Sequence, residues 1–274
     1  MPTRLYLAST SPARRSLLAQ SGIEPVLVAP GVDEDAVATA ESERLGRALT
    51  GPELVALLAV AKARAVAGSD DAPGSVAGER IDGVVFGGDS AFEVDGVLYG
   101  KPHDPGVARD RWRGMLAAGG GTLWSGHCII DRRADGDRVP DGRDGSAPHP
   151  GLAGSPGAFR ESLARFRRAE RASPSVVTTG ITRPAPETVV AVDSAVLTFA
   201  ADMSADEIDA YVATGEPLEV AGAFTIDGRA AAYIARIDGS PSAVVGLSLP
   251  MLRAMLLEGF GIPWHDLWNG PGTL

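Results

Sequence analysis

The chain has 274 residues, a formal net charge of −10 and one cysteine, Cys128. This acidic balance argues against a general nucleic-acid-binding surface, which needs a basic stripe, so a few local cations must meet any anionic substrate. A lone cysteine excludes an internal disulfide, and the sequence shows neither a signal peptide nor an apolar stretch long enough to span a bilayer. We therefore expect a cytoplasmic protein with no nucleic-acid or membrane partner, in which Cys128 is a buried apolar residue rather than a nucleophile.

A strand, a hydroxyl-rich turn and a helix open the chain. The apolar run 5–8 predicts a buried strand. After it, Ser11 is a good N-cap, Pro12 suits the first helical position and Gly22 supplies the stop. Such a junction presents N–H groups without helical partners and the positive end of a helix dipole, which suits a phosphate.

Arg14 and Arg15 stand in the first turn of this predicted helix, where cations oppose the helix dipole. Two interpretations remain open for each, an anion bound at the turn or plain solvation. The three hydroxyl residues at 9–11 favour a bound anion. No GxxxxGK[ST] pattern occurs in the sequence, so this is not a Walker P-loop.

Three consecutive acids, residues 33–35, follow a second predicted strand at 25–29. They can hold a divalent cation, which takes oxygen ligands. A solvated loop or a helix N-terminus is the interpretation that the residues alone favour. A helix is then predicted over 52–67, with Lys62 at the border of its apolar stripe, where a snorkelling side chain is the simplest expectation.

Residues 84–102 form a predicted hairpin with a charge near each end. The apolar run 84–86 ends at two glycines followed by Asp89, and a second run, 97–99, returns after Asp95-Gly96 and leads to Lys101. A two-residue turn would place Asp89 and Lys101 on opposite faces, whereas a three-residue loop would pair them directly. We prefer the three-residue loop because it also separates the apolar from the charged side chains; a surface ion pair without function is the alternative.

The rest of the chain alternates between predicted strands and helices, interrupted by a segment at 132–187 that is rich in Pro, Gly, Ser, Asp and Arg. We interpret that segment as a flexible insertion, with a possible helix at 158–172, because it lacks the apolar content that offsets the entropy of ordering. The alternation implies a single α/β domain over residues 1–274 with a mixed sheet. The other predicted elements are a helix over 105–116, strands ending at 130 and spanning 188–199 and 230–237, a helix opened by the capping box of Ser204 and Glu207, and a helix over 251–258.

Five blocks in this order resemble the Maf family (septum formation protein Maf-like) over about residues 4–262: LASTSPARRSLL, GVDED, AKARA, GGDS with GKP, and GEPLEVAGAFTIDG with VVGLSL. The resemblance implies a two-lobed α/β fold with flanking helices and a central cleft, similar to that of inosine triphosphate pyrophosphatases. It also implies a homodimer that hydrolyses nucleoside triphosphates, normal, non-standard or modified, to monophosphate and pyrophosphate with Mg²⁺ or Mn²⁺. The alternative is a nucleotide-binding regulator of cell division with little turnover.

The resemblance also implies roles for individual residues. Asp89 falls on the family's catalytic aspartate, as a general base or a metal ligand, and Glu34 on the acidic residue expected at the metal. The substrate-binding positions are Ser9, Arg14, Lys62, Lys101, Ser90 and Asp227.

Three positions depart from the pyrimidine-preferring branch of that family. Ala13 precedes the two arginines where that branch has arginines directly after Ser-Pro, Asp227 replaces a glutamine, and Ser90 replaces a threonine. Because these positions are expected to contact the base, the resemblance implies no base preference.

Overall fold

The structure, a computed structural model, describes residues 3–69, 72–134 and 179–269. Within these ranges ten strands and seven α-helices alternate along the chain. The strands are β1 (Leu5–Ala8), β2 (Val26–Val28), β3 (Ser75–Val76), β4 (Glu79–Arg80), β5 (Val84–Val94), β6 (Val97–Tyr99), β7 (Gly120–Asp131), β8 (Thr179–Ala185), β9 (Thr188–Phe199) and β10 (Ile234–Gly239). The helices are α1 (Pro12–Gln20), α2 (Glu34–Leu45), α3 (Gly51–Ala67), α4 (Pro105–Ala118), α5 (Ala205–Ala213), α6 (Pro241–Val245) and α7 (Leu249–Phe260).

Eight of these strands form one mixed sheet in the order β10-β9-β7-β5-β1-β2, with β6 added to β5 and β8 to β9; β3 and β4 pair separately. Strand β1 runs parallel to both of its neighbours, and the other pairings of the sheet are antiparallel. The predicted α/β fold with a mixed sheet and flanking helices is confirmed.

The edge of β5 that faces away from β7 has two partners with a gap between them. Residues 84–87 pair with β1, and residues 92–94 pair with β6. In the described part of the chain, residues 88–91 have no strand partner on this edge. One apolar cluster packs around Leu7 and Phe86 on the β1 side of the gap, and another around Phe92 and Trp112 on the β6 side. The gap is therefore a cleft between two lobes that share the long central strands.

The β5–β6 hairpin has a two-residue turn, so the predicted three-residue loop is wrong. Val94 pairs with Val97, and Asp95 and Gly96 both have positive φ values, 49° and 79°. This is the backbone of a type I′ turn, whose twist matches the flanking strands and which Asp-Gly favours. The pairing ends at Phe92 and Tyr99, and Asp89 lies opposite Gly126 of β7 instead of Lys101.

Two glycines let α3 lie directly on the central strands. A Cβ at Gly87 would stand 2.3 Å from the carbonyl oxygen of Ala59, and one at Gly126 would stand 2.0 Å from that of Val55. Only glycine permits so close an approach of helix backbone to sheet. Since Gly87 and Asp89 share a face of β5, the same packing places α3 beside Asp89.

Two further predictions need correction. Strand β8 lies inside the segment interpreted as a flexible insertion, and it pairs with β9, so the C-terminal part of that segment belongs to the sheet. The predicted strand over 230–237 begins only at Ile234, because the alanine-rich residues before it form a 3₁₀ turn, Arg229–Tyr233, and alanine has little preference for strands.

The possible helix at 158–172 lies outside the described residues. None of the helices in the described ranges has the length and apolarity needed to cross a membrane.

Candidate active site

Six of the predicted site residues meet at the cleft, where β1 ends and β5 continues past it. Three come from the ends of elements and three from the interiors of α3 and β5, and the strand order of the sheet brings them together. They are Ser9 after β1, Arg14 of α1, Glu34 at the start of α2, Lys62 of α3, and Asp89 and Ser90 of β5.

The turn between β1 and α1 has the predicted capping geometry. The Ser11 hydroxyl accepts a hydrogen bond from the backbone N–H of Arg14 at 3.4 Å, and the Ser9 hydroxyl accepts one from the N–H of Ser11 at 3.1 Å. Pro12 is the first residue of α1, as predicted. The turn is therefore held by its own hydroxyls, with the N-terminus of α1 directed at the cleft.

Arg14 is buried, with 8% of its surface exposed, and each guanidinium nitrogen donates a hydrogen bond. Nε donates to the carbonyl oxygen of Gly246 at 2.7 Å, Nη1 to the Ser9 hydroxyl at 3.2 Å and Nη2 to the Ser90 hydroxyl at 3.2 Å. Arg15 is exposed instead and forms an ion pair with Glu24. The two arginines, equal in the sequence, thus have different surroundings, and Arg14 is the one at the cleft.

Lys62 does not snorkel to the solvent; it is 6% exposed and its ammonium lies between two carboxylates. Nζ is 2.7 Å from Oδ1 of Asp89 and 2.8 Å from Oε1 of Glu34. The Asp89 side chain is also buried, whereas half of the Glu34 side chain is exposed. The predicted pairing of Asp89 with Lys101 is wrong, and Asp89 forms its ion pair with Lys62.

The three acids after β2 have separate places. Asp33 is the N-cap of α2 and accepts a hydrogen bond from the N–H of Ala36 at 2.9 Å, which confirms the helix N-terminus interpretation for that residue. Glu34 reaches Lys62, and Asp35 is exposed on the first turn of the helix.

Burial raises the pKa of Asp89 above its ordinary value, and the charges of Lys62 and Arg14 act in the opposite direction. Burial also lowers the pKa of Arg14, against the carboxylates of Asp89 and Glu34. Two cations and two carboxylates thus share the cleft, and their formal charges balance. A polyanionic ligand would bring excess negative charge to this centre, which gives a divalent cation a place beside the carboxylates.

The donor set fits a magnesium-like ion held jointly with a ligand, not one held by the protein alone. Among the described residues, no group of three His, Cys, Asp or Glu side chains lies close enough to hold a metal ion. Asp89 and Glu34, however, converge on one point, and Mg²⁺ is commonly bound by one or two carboxylates together with substrate phosphates and water. These two residues could therefore hold the ion.

Lys101 and Asp227 lie apart from the other six. Lys101 is exposed on the segment between β6 and α4, and Asp227 is exposed in a loop where the Thr225 hydroxyl donates to it. In the described ranges, no hydrogen bond or ion pair joins either residue to the six residues at the cleft. Both belong to the β6 side of the gap, where the loop 220–228 packs against Phe92 and hydrogen-bonds to Gly100.

Three residues that contact the site were not predicted: Ser125 and His127 on β7, and Gly246 after α6. Ser125 donates to the carbonyl of Ala243 at 2.8 Å, and Nε2 of His127 accepts from the N–H of Ser248 at 2.9 Å. Burial lowers the pKa of His127 to about 3, so the ring is neutral. The signal in the sequence that could have found Ser125 and His127 is that polar residues occupy alternate positions of an otherwise apolar strand. Cys128, the residue after His127, is buried as predicted, and burial raises its pKa to about 12, which makes it a poor nucleophile.

Comparison with known proteins places the chain in a family. The family model described as "Maf-like protein" matches residues 4–143 and 152–259. A protein of Leifsonia xyli subsp. xyli named nucleoside triphosphate pyrophosphatase is 44% identical over 271 residues, which cover 98% of this chain and 99% of that protein. Proteins of the same name from Nocardia farcinica and Rhodococcus erythropolis are 38% and 36% identical; the alignments cover 99% and 97% of this chain and 99% and 97% of those proteins. The matches cover nearly the whole of this chain and of each relative, and the chain belongs to the Maf-like protein family.

Proposed function

We propose that the protein is a hydrolase that cleaves nucleoside triphosphates to nucleoside monophosphate and pyrophosphate. The observation that carries the proposal is the cluster of Arg14, Lys62, Asp89 and Glu34, in which two buried cations and two carboxylates meet beside a helix N-terminus. The name of the three relatives, nucleoside triphosphate pyrophosphatase, supports this choice among the reactions of phosphate esters and anhydrides.

The triphosphate is bound in the cleft by charge and by positioned donors. Arg14 presents its two Nη groups, which point at Ser9 and Ser90 in the structure, and the first turn of α1 adds its N–H groups and dipole. Lys62 reaches the same place from α3, and Lys101 approaches from the opposite side of the gap. Ser90 and Asp227 contact the remainder of the nucleotide, as the family resemblance implies.

Asp89 acts on the water that attacks the α-phosphorus. Its carboxylate orients this water and accepts a proton as the new P–O bond forms and the bond between the α-phosphorus and the bridging oxygen breaks. The pyrophosphate leaves with the electron pair of that bond, and the negative charge is offset by Arg14, Lys62 and Lys101. Because Arg14 is held by three hydrogen bonds before the substrate binds, it needs little reorganisation during the reaction.

We further propose that Glu34 and Asp89 hold a divalent cation, Mg²⁺ or Mn²⁺, together with the phosphates. The ion supplies charge neutralisation at the phosphoryl oxygens when it is bound. The carboxylates that it needs are those that Lys62 holds in the structure. The ammonium would then be released toward the phosphates.

The resemblance extends the proposal to a homodimer in the cytoplasm. Light scattering of the purified protein tests the dimer: a molar mass of twice 28.2 kDa is expected, and a monomeric mass would contradict it.

To test the reaction, purified protein is incubated with Mg²⁺ and each of a panel of normal, non-standard and modified nucleoside triphosphates. Pyrophosphate and orthophosphate are both measured. We expect pyrophosphate and monophosphate in equal amounts, and none when the metal is removed with a chelator. Orthophosphate release would reject the proposed bond cleavage. Tight nucleotide binding without turnover would favour the alternative, a nucleotide-binding regulator of cell division.

A further inference from the structure

We propose that His127 and Ser125 are positioning residues: from the centre of the sheet they hold the segment 243–248, whose Gly246 carbonyl aims the guanidinium of Arg14 at the phosphates. Ser125 also lies 3.4 Å from the Ser90 hydroxyl, whereas in the described ranges His127 makes no hydrogen bond to any of the six residues at the cleft. The inference rests on the proposed function in so far as Arg14 binds phosphate.

The direction of Arg14 depends on a backbone carbonyl. The shortest of its three side-chain hydrogen bonds, 2.7 Å, runs from Nε to the oxygen of Gly246, while the bonds from Nη1 and Nη2 are both 3.2 Å. Because the guanidinium is planar, fixing Nε with this acceptor sets where both Nη groups point. A shift of the Gly246 carbonyl would therefore turn the cation away from the cleft.

Gly246 itself lies in a short turn whose shape is fixed locally, since its N–H donates to the carbonyl of Ala243 and that of Leu247 to the carbonyl of Ser242. It follows α6, which has only five residues, and has φ +106°, a backbone conformation that glycine adopts readily. Ser248 begins α7 two residues later as its N-cap. A five-residue helix has little stability of its own, so the position of this turn must come from its contacts.

Two of those contacts come from adjacent same-face positions of β7, the strand between β5 and β9. Ser125 donates to the carbonyl of Ala243 at 2.8 Å, and His127 accepts from the N–H of Ser248 at 2.9 Å. The two hydrogen bonds therefore attach the segment to β7 on either side of Gly246. Both side chains are fully buried. Nε2 is the acceptor, so the proton of the neutral ring is on Nδ1.

The rival explanation is that His127 merely anchors the C-terminal helix. The two explanations differ in what Arg14 does when the acceptor is lost. His127→Leu removes the acceptor at similar volume, and His127→Gln can present its amide oxygen near the place of Nε2. If His127 acts through Arg14, His127→Leu weakens phosphate binding and His127→Gln restores it. If it is only an anchor, both substitutions change stability alone.

The first test is a double-mutant cycle with an α,β-methylene nucleoside triphosphate, which binds but cannot be cleaved at that bond. We expect His127→Leu to raise the dissociation constant about tenfold in the wild-type background, and to leave it unchanged within about twofold in the Arg14→Met background. An equal factor in both backgrounds would overturn the proposal. Ile130→Ala, on the same strand but facing α3 far from the segment, is the matched control: it should lower stability and leave the affinity unaltered.

The second test needs no substrate, so it separates this inference from the proposed function. In ¹⁵N-labelled protein the Nε–H resonance of Arg14, identified by its loss in Arg14→Lys, should be protected from exchange with solvent because it donates to a buried carbonyl. We expect that protection to be lost in His127→Leu, reduced in Ser125→Ala and kept in His127→Gln. Protection that persists in folded His127→Leu and Ser125→Ala would contradict the positioning role. If the resonance responds as expected but no triphosphate is hydrolysed, the proposed function fails and the positioning stands.

Discussion

The two sides of the cleft differ in how completely they are formed without a ligand. On the β1 side, Ser9, Arg14, Lys62 and Asp89 are buried and bonded to one another or to Gly246. On the β6 side, Lys101 and Asp227 are exposed, and neither contacts that cluster in the described ranges. A site that must stabilise charge benefits from groups that are already in place, because they cost no reorganisation during the reaction. In the proposed function, the β1 side therefore performs the chemistry and the β6 side binds the remainder of the nucleotide.

The largest effect is expected from Asp89→Asn on the preformed side. The amide keeps the shape but cannot take a proton from water, so we expect kcat to fall by about 10²–10⁴-fold. Pyrophosphate release at saturating substrate measures it. Asp95→Asn is the matched control, since Asp95 lies in the hairpin turn with positive φ, which asparagine tolerates, and should retain full activity. Full turnover by Asp89→Asn would remove Asp89 from the mechanism.

The next largest effect is expected from Lys62→Met, which should lower kcat/KM by about 10²-fold. It also leaves Asp89 facing Glu34 without their shared cation, which we expect to lower the free energy of unfolding by about 3 kcal/mol. Because Lys62 lowers the pKa of Asp89, its removal raises that pKa further, and the acidic limb of the pH–activity profile should move to higher pH. Chemical denaturation measures the loss of stability, and the pH dependence of the rate measures the shift of the acidic limb. An acidic limb at the wild-type position would mean that Asp89 is not the group that titrates there.

Lys101→Met tests the other side of the comparison. The ammonium is exposed and has no ion-pair partner in the described ranges, so we expect a change of less than about 0.5 kcal/mol in the free energy of unfolding. The KM for the triphosphate should rise by about three- to tenfold, and the effect should shrink at high salt. A stability loss as large as that of Lys62→Met would show that the two sides do not differ in the proposed way.

The smallest effect is expected from Asp227→Asn, also on the exposed side. We expect unchanged stability and a shift of no more than about tenfold in the ratio of kcat/KM between two bases. The substrate panel measures this ratio directly. Loss of turnover with every base alike would instead assign Asp227 to the chemistry.

The sequence predicted the site residues that local patterns mark. Ser11-Pro12 marked the start of α1 and thereby the turn that holds Ser9, because capping chemistry is local. Asp-Gly marked the hairpin, but the three-residue loop, preferred because it pairs Asp89 with Lys101 and separates apolar from charged side chains, is wrong. Local turn preference decided the register instead.

The partners of Asp89 and Arg14 could not be predicted, since they come from distant elements. Lys62 reaches Asp89 only because glycines on β5 and β7 admit α3, and the spacing of its own helix showed only a stripe border. The residue pattern left Arg14 and Arg15 equivalent and only the family resemblance named Arg14; its acceptor, the carbonyl of Gly246, is 232 residues away in the chain. Strand β8 was missed because its composition is that of the polar segment before it, and pairing with β9 overrides that weak propensity.

Hydrolysis in H₂¹⁸O tests the central claim most directly, because it shows which phosphorus the water attacks. The buried cluster of Arg14, Lys62 and Asp89 is proposed to direct water at the α-phosphorus, so mass spectrometry after a single turnover should find the label in the nucleoside monophosphate and none in the pyrophosphate. Label in the pyrophosphate would place the attack on the β-phosphorus and contradict the account.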